Sequence, residues 1–496
     1  MPNFTIGLQY IPKRNDFLYN QRMTKLTILY TNDIHGQVSQ LLRIATLVRQ
    51  IRSEVEATSD YCVYVDAGDS EDTTLLESSL TKGSAMNAIL RGAGCEYAAL
   101  GNAVPIRYGH HPVADLAKHF GRPLLCANFF DENDKLVEGL EPFTIHAFDS
   151  FRLGIIGATD PMKAYETFFH LHAKKPEEVL PGLIEQVRAQ GVQTILLLSH
   201  LGLRNDKRVA ETIAGIDVVI GGHSHDLLDP PLEINKTIIA QAGDLGRFLG
   251  RLDLEIDPST ATINRYESTF IPVDDSIPPD PHAQAMVESE KERVKKLMTR
   301  VIGTLTDSFN LADDRECAAA NLLADALLDR VPGAEIAFVL AGLWETGLES
   351  GSLTQGTLYA ANRSPANPAK VELTGEQIEQ FFRAALNTEN MAQSPKALRG
   401  RKMGFPHVAG MTVCYDPLNL NTLEVYVNGK PLERERKYIV AATDFELSDL
   451  AGYLVIPDEQ VEYEVPTIMP EVLEEYIAKR SPLQRPKDGR VTIKMT

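Results

Sequence analysis

IDVVIGGHSH, residues 216–225, is a short apolar strand pattern that runs into two glycines and two histidines. Glycine allows the backbone to turn sharply after a strand. His223 and His225 are two residues apart, so an extended backbone would point both imidazoles to the same side. Imidazole nitrogens are the commonest metal ligands in proteins. The stretch therefore predicts a metal-binding loop at the end of a buried strand.

Similar side chains follow other apolar strand patterns earlier in the chain, and together they make seven candidate ligands: Asp33, His35, Asp69, Asn102, His200, His223 and His225. Each has an ordinary structural alternative when taken alone, since a lone Asp-x-His is typical of a capped turn and a lone Asn of an Asx-turn. Seven of them in strand-end positions favour a metal cluster. Short buried strands that alternate with helical segments also predict an α/β domain with helix-covered sheets.

The ligand types indicate which metals and which chemistry the cluster serves. A carboxylate can bridge two ions, and Asp69 is the candidate for that role. Two ions about 3.5–4 Å apart clamp a phosphoryl group and generate a hydroxide at neutral pH. Mixed His, Asp and Asn ligands suit Mn, Fe, Co or Zn better than Ca. We therefore expect two divalent ions and a small phosphorylated substrate.

Composition excludes several other function classes. The 496 residues carry a formal net charge of −19, which disfavours nucleic acid and anionic membrane surfaces as partners. No run of about 20 apolar residues predicts a membrane-spanning helix. The start of the chain lacks the apolar core of a signal peptide, and the five cysteines form no CxxC pair. These features together predict a cytoplasmic protein.

The chain is long enough for more than one domain. Pro- and Asp-rich sequence at 271–282 is typical of a linker, and a charged helical pattern follows it. We expect an N-terminal extension at 1–23, a catalytic domain at 24–273, a linker and connecting helix at 274–300, and a second α/β domain at 301–496.

Five motifs carry a resemblance to a known family: TNDIHG (31–36), DAGD (66–69), GN (101–102), LSHLG (198–202) and IDVVIGGHSH (216–225). Their residues and order resemble the 5′-nucleotidase/UDP-sugar hydrolase family of calcineurin-like metallophosphatases, in a branch without a signal peptide. The resemblance implies a four-layer α/β/β/α catalytic domain, a connecting helix and a C-terminal substrate-binding domain. It also implies two ligand sets that share Asp69 as the bridge: Asp33, His35, Asp69 and His225 for one metal, and Asp69, Asn102, His200 and His223 for the other.

The sequence that follows the GN motif departs from the family pattern. The family has Gly-Asn-His-Glu-Phe-Asp, and here Ala103 replaces the His and Ile106 the Asp. The resemblance assigns that His to transition-state charge or to the leaving group, and such a group is worth about 10²–10⁴ in rate. We predict catalytic roles for Asn102 and Asp69, with His110 as a candidate for the vacant role. The alternative for His110 is an exposed residue at a helix start.

The second domain departs from the family as well. Glu345 occupies the position of an anion-binding arginine, and the segment 364–367 lacks the family's nucleobase-stacking ring. The resemblance leaves Phe445, Trp344 and Asn367 as candidate substrate-binding residues. For Trp344 a place in the core is an equal alternative.

Three hypotheses follow for the function. The first is a metal-dependent phosphoesterase in which metal-bound hydroxide attacks a phosphorylated, nucleotide-derived small molecule. The second is a nucleotide-sugar pyrophosphatase or cyclic phosphodiesterase, because a good leaving group needs less protonation. The third is a homologue that binds metal or ligand with little or no catalysis.

Overall fold

The computed structural model describes residues 23–494, apart from 59, 72–79, 150, 258–259, 261, 396–397, 399–400 and 449–450. Of the expected extension at 1–23, residues 1–22 lie outside the described residues.

The first half of the chain alternates strands and helices. Its elements are β1 (Thr24–Thr31), α1 (Val38–Ala57), β2 (Tyr61–Asp66), α2 (Ser84–Gly92), β3 (Tyr97–Ala98), α3 (Ala103–Tyr108), α4 (Val113–Phe120), β4 (Leu124–Leu125), β5 (Phe129–Phe130), β6 (Leu140–Glu141), β7 (Phe143–Ala147), β8 (Arg152–Thr159), α5 (Lys163–Phe169), β9 (His172–Ala173), α6 (Pro176–Arg188), β10 (Thr194–His200), α7 (Leu203–Thr212), β11 (Val218–Gly221), β12 (Leu232–Ile234), β13 (Thr237–Ala240), β14 (Phe248–Ile256) and β15 (Ile263–Pro272).

Two mixed sheets form the centre of this half. The first has the order β15-β14-β1-β2-β3, and the second has the order β12-β13-β11-β10-β8-β7. Strands β1, β2 and β3 run parallel, as do β8, β10, β11 and β13. The carboxyl ends of parallel strands meet at one edge of a sheet, so each sheet presents a row of loops at that edge.

Apolar side chains pack the two sheets into a layered structure. Between them lies a core that takes Ile28 and Val63 from the first sheet and Leu196 and Ile220 from the second. The outer face of the first sheet packs against α1, α2 and α4. The outer face of the second packs against α6 and α7. The predicted four-layer α/β/β/α fold is confirmed.

The long helix α8 (Pro281–Thr299) follows, and Asp280 caps its first turn by accepting hydrogen bonds from the backbone N–H groups of His282 and Ala283. The helix packs against both α2 and a helix of the second half, so it contacts each part of the chain.

The second half is also mixed α/β. Its elements are β16 (Val301–Leu305), α9 (Ala318–Arg330), β17 (Ile336–Leu340), β18 (Gly351–Thr354), α10 (Gln355–Ala361), β19 (Pro368–Thr374), α11 (Gly375–Ala385), α12 (Thr388–Met391), β20 (Pro406–Ala409), β21 (Met411–Tyr415), β22 (Glu424–Val427), β23 (Lys430–Pro431), β24 (Lys437–Thr443), α13 (Asp444–Leu447), β25 (Val461–Tyr463), α14 (Met469–Arg480) and β26 (Val491–Ile493). A five-stranded sheet with the order β20-β17-β24-β19-β25 lies at its centre. Among the helices that the structure describes, none is long and apolar enough to cross a bilayer.

Candidate metal centre

The seven predicted ligands all follow, or end, parallel strands of the two central sheets. Asp33 follows β1, Asp69 follows β2, and Asn102 follows β3. His35 also follows β1, His200 is the last residue of β10, and His223 and His225 follow β11. Because both sheets bring these strand ends to the same side of the domain, residues as much as 192 positions apart come into contact.

The first ligand group consists of Asp33, His35 and His225, which each offer an atom within 4.8 Å of the others. The Nε2 atom of His225 lies 3.3 Å from Asp33 Oδ1 and 3.2 Å from His35 Nε2. The Nε2 atom of His35 lies 3.8 Å from the same Asp33 oxygen. Two imidazole nitrogens and a carboxylate oxygen thus converge, which is the donor set of a transition-metal site.

The second group consists of Asp33, Asp69 and His200. The Nε2 atom of His200 is 3.3 Å from Asp69 Oδ2 and 2.9 Å from Asn102 Oδ1. The Nδ1 atom of His223 lies 2.7 Å from the same Asn102 oxygen. In this geometry Asp33 belongs to both compact groups, whereas the family resemblance implies that Asp69 is the shared ligand.

The hydrogen bonding of the Asp33 carboxylate shows whether the cluster suits a cation. Its Oδ2 atom accepts hydrogen bonds from Asn32 Nδ2 at 2.7 Å and from the backbone N–H of His223 at 2.9 Å. Its Oδ1 atom is buried and has no hydrogen-bond partner among the described residues. A buried carboxylate oxygen without a partner is costly unless a cation lies beside it. The donor set and this oxygen therefore fit a divalent metal.

The electrostatics of His200 and Asp69 also favour a cation. His200 Nδ1 donates to the backbone carbonyl of Ala67 at 2.8 Å, so Nε2 faces two oxygens. Burial opposes the charged forms of both residues. The attraction between them outweighs burial, lowering the pKa of Asp69 to about 2 and raising the pKa of His200 to about 10. At neutral pH His200 therefore carries a proton on Nε2, in the place where a divalent cation would supply the same positive charge beside Asp69.

The backbone at the ligands is not extended. Five of the seven have a positive φ: Asp33, His35, Asp69, His223 and His225. The prediction that an extended backbone aligns His223 and His225 is therefore wrong. The loop after β1 instead follows the loop after β2, because the N–H groups of Asp33 and His35 donate to the carbonyls of Gly68 and Asp69 at 2.9 and 3.0 Å.

Glycines around the cluster serve close packing more than turning. A Cβ on Gly222 would lie 3.0 Å from the carbonyl of Ala67 and 3.1 Å from both Asp33 Oδ2 and His200 Nδ1. A Cβ on Gly101 would lie only 2.0 Å from Asp69 Oδ1. The sharp turn predicted for Gly221 and Gly222 is instead made by the histidines that follow them.

The position of the missing family histidine lies beside Asp69. Ala103 starts α3, and its backbone N–H donates to Asp69 Oδ1 at 2.9 Å. The ring of His110 packs at a tilt of 39° against that of His111, with centroids 4.3 Å apart, and its acidic neighbours are Asp131 and Glu132. None of these contacts of His110 involves a predicted ligand.

Two of the three candidate substrate residues line a cavity between the halves of the chain. The cavity, of about 190 Å³, is lined by Asn367 and Phe445 together with Ile106 and Arg107 from α3. Trp344 is fully buried in the hydrophobic core of the second half. Because its ring is enclosed by apolar side chains, the structure favours the core role for Trp344 over the stacking role.

Two residues near the ligands were not singled out from the sequence. Asn32 holds the ligand loops, since its Nδ2 donates to the carbonyl of Gly243 at 2.6 Å as well as to Asp33. Asp160 follows β8 at the same edge of the sheet, where burial raises its pKa while His223 and His200 oppose the shift. The strand-end position of Asp160 is the sequence signal that could have identified it.

Comparison with known proteins agrees with this architecture. Residues 26–227 match the family model of calcineurin-like phosphoesterases, and residues 301–456 match that of the 5′-nucleotidase C-terminal domain. The chain is a two-domain metallophosphoesterase of the 5′-nucleotidase family. It is thus a hydrolase of phosphoric ester bonds, and enzymes of the calcineurin-like class use divalent metal ions.

Individual relatives span nearly the whole chain. The "uncharacterized metallophosphoesterase YunD" of Bacillus subtilis (strain 168) is 26% identical, over 92% of this chain and 98% of that protein. The 5′-nucleotidase of Bos taurus is 24% identical, over 95% of this chain and 91% of that protein. Among solved structures, the NAD nucleotidase (NadN) of Haemophilus influenzae shares the fold with a TM-score of 0.58 and 17% identity, covering 95% of this chain and 99% of that one.

Proposed function

We propose that this metallophosphoesterase hydrolyses a small, nucleotide-derived phosphate ester with two divalent ions held by the seven ligands. One observation carries the proposal: each of the seven side chains has a ligand atom within 3.8 Å of an atom of another. Mn, Fe, Co and Zn suit this donor set. Such ions, when bound, polarise the phosphoryl oxygens and activate the attacking water.

The protein's own residues hold and separate the two ions. Asp33 extends into both groups, while Asn102 keeps His200 and His223 together. Buried Asp69 is held by the N–H of Ala103, so its carboxylate is oriented before metal and substrate arrive. This preorganisation is what makes electrostatic stabilisation of a transition state effective.

We further propose that the leaving group of the substrate lies in the cavity beside Phe445. Helix α3 connects the two places, because its first residue contacts Asp69 and its fourth and fifth residues line the cavity. Along an α-helix, five residues span about 7.5 Å. The cavity is smaller than the ~300–1,000 Å³ typical of whole-ligand pockets, so it suits one ring of a larger substrate.

A second candidate is hydrolysis of a pyrophosphate or phosphodiester bond. Ala103 favours it, since the side chain at this position cannot donate a proton to the leaving group. A phosphate leaving group needs less protonation than an alcohol. The ratio of nucleotide-sugar or cyclic-nucleotide turnover to nucleoside-monophosphate turnover distinguishes the two candidates.

The test is a substrate screen with the protein loaded with Mn²⁺, Co²⁺ or Zn²⁺ in turn. Wild type, D69N and the control D115N are compared, since Asp115 is a half-exposed aspartate that forms its ion pair within α4. We expect D69N to lose at least about 100-fold in kcat/KM and D115N to match wild type. Equal inactivity of wild type and D69N across monoesters, diesters and nucleotide sugars would refute the proposal and support a binding role.

A further inference from the structure

Asp244 lies directly behind one of the predicted ligands. Its Oδ2 atom is 3.3 Å from Nδ1 of His225, and its side chain is 16% exposed compared with 41% for the histidine. Asp244 follows β13, in the loop before β14, and it is not among the seven ligands. Its carboxylate faces the opposite side of the imidazole ring from the ligand group.

The other nitrogen of His225 faces the ligands. Nε2 lies 3.3 Å from Asp33 Oδ1 and 3.2 Å from His35 Nε2. A neutral imidazole carries its proton on one nitrogen and a lone pair on the other. A carboxylate at Nδ1 keeps the proton there, so that Nε2 presents its lone pair to a metal.

The loop that carries Asp244 is fixed to the ligand loop by backbone contacts. The N–H of Leu245 donates to the carbonyl of Asp33 at 2.8 Å, and Asn32 Nδ2 donates to the carbonyl of Gly243. Arg247 forms an ion pair with the Asp244 carboxylate, and its N–H donates to the Asp244 carbonyl at 3.2 Å. The carboxylate therefore has a defined place relative to both His225 and Asp33.

We propose that Asp244 is a positioning residue that holds His225 as its Nδ1-protonated tautomer and so builds the divalent-metal site of Asp33, His35 and His225. The inference rests on the proposed function in that it needs a metal at this cluster. It goes beyond that function, because it makes the metal affinity of one site depend on a side chain that is not itself a ligand.

The experiment is titration of the metal-stripped full chain with Zn²⁺ and with Mn²⁺, followed calorimetrically. We expect wild type to bind two equivalents. D244A is expected to bind one of them about 10–100-fold more weakly and the other unchanged. D244N is expected to lose less, because an amide oxygen in the same place is also an acceptor for Nδ1–H.

Two controls separate positioning from general damage. D115A removes the carboxylate of another Asp–His pair, in which Asp115 Oδ1 also lies 3.3 Å from a histidine Nδ1, and it should bind both equivalents like wild type. In a double-mutant cycle, D244A added to H225A should weaken binding no further, because Asp244 acts through that imidazole.

Each outcome decides the matter. Wild-type affinity for both equivalents in D244A would overturn this inference alone, and so would equal weakening of both. Additive effects of D244A and H225A would overturn it too. A wild-type chain that takes up no metal would overturn the inference and the proposed function together, so the two failures are distinguishable.

Discussion

Replacing Gly101 by alanine tests whether the position of Asp69 controls the metal centre. A Cβ at residue 101 would lie 2.0 Å from Asp69 Oδ1 and 2.3 Å from its backbone N, whereas ordinary contacts begin at 3.4 Å. The carboxylate oxygen must therefore move by more than about 1 Å. That shift breaks its hydrogen bond with the N–H of Ala103 and exceeds the ~0.2 Å tolerance of metal–ligand distances.

The expected result of G101A is at least about a 100-fold loss in kcat/KM, which is what a misplacement of 1 Å costs at an active site. Metal affinity should fall as well, because one carboxylate ligand leaves its place. The measurements are calorimetric metal titration and steady-state kinetics on the best substrate of the screen. Circular dichroism shows whether the fold is retained.

The matched control is G182A. Gly182 lies on the exposed side of α6, and a Cβ there would meet no atom within 4 Å. This change should stabilise the protein by about 0.5–1 kcal/mol, as Ala is the better helix former, and leave activity unchanged. Wild-type metal affinity and activity in G101A would refute the steric argument. The backbone N of Asp69 must move as well, so the loop after β2 shifts together with the carboxylate, and circular dichroism should show that the rest of the fold is retained.

Three further predictions concern pH, substrate and metal. Burial raises the pKa of Asp206 to about 7, so its neutral form stabilises the fold at low pH and that stability is lost as pH rises from about 4 through 7. The free energy of unfolding of D206N minus that of wild type should therefore rise by about 2–3 kcal/mol between pH 5 and pH 8 in urea titrations, and a pH-independent difference would contradict this. F445L should raise KM several-fold for nucleotide substrates, because Phe445 lines the cavity. The KM for an aryl phosphate that is too short to reach the cavity should not change. An equal change in KM for both substrates would argue against a leaving-group subsite. Chelation should lower the thermal midpoint by about 5 °C or more, since a ligand at 100 times its Kd contributes about 2.7 kcal/mol, and an unchanged midpoint would show that no metal was bound.

The layered fold could be predicted because its signals are local. The buried strand β2 is an apolar run at 61–65, and α11 has the 3.6-residue periodicity of an amphipathic helix, with Ile378, Phe381, Phe382 and Ala385 on its buried face. Strand-end ligands were found for the same reason, since parallel strands bring their carboxyl ends to one edge. Short strands such as β20 to β22 could not be predicted, because four or five residues carry too little pattern to distinguish a strand from a loop.

Contacts between loops could not be predicted, because they depend on which strands are neighbours. Nothing local indicates that the loop of Asp244 follows that of Asp33, or that Asp33 belongs to both ligand groups. Trp344 illustrates the same limit. Its segment resembles a substrate-binding loop of the family, yet the ring is fully buried in the hydrophobic core of the second half.

The conformation of the ligands shows how such loops produce a metal site. Non-glycine residues at positive φ are uncommon, although Asp and His tolerate this region better than most. Five ligands adopt it, at a cost of about 1 kcal/mol each or somewhat more. Their sum is a sizeable part of the 5–15 kcal/mol by which a domain is stable. Hydrogen bonds between the ligand loops offset part of this cost, as does the packing that Gly101 and Gly222 allow. The surrounding structure therefore imposes this strained backbone conformation. The conformation brings the carboxylate and imidazole groups together before any cation binds.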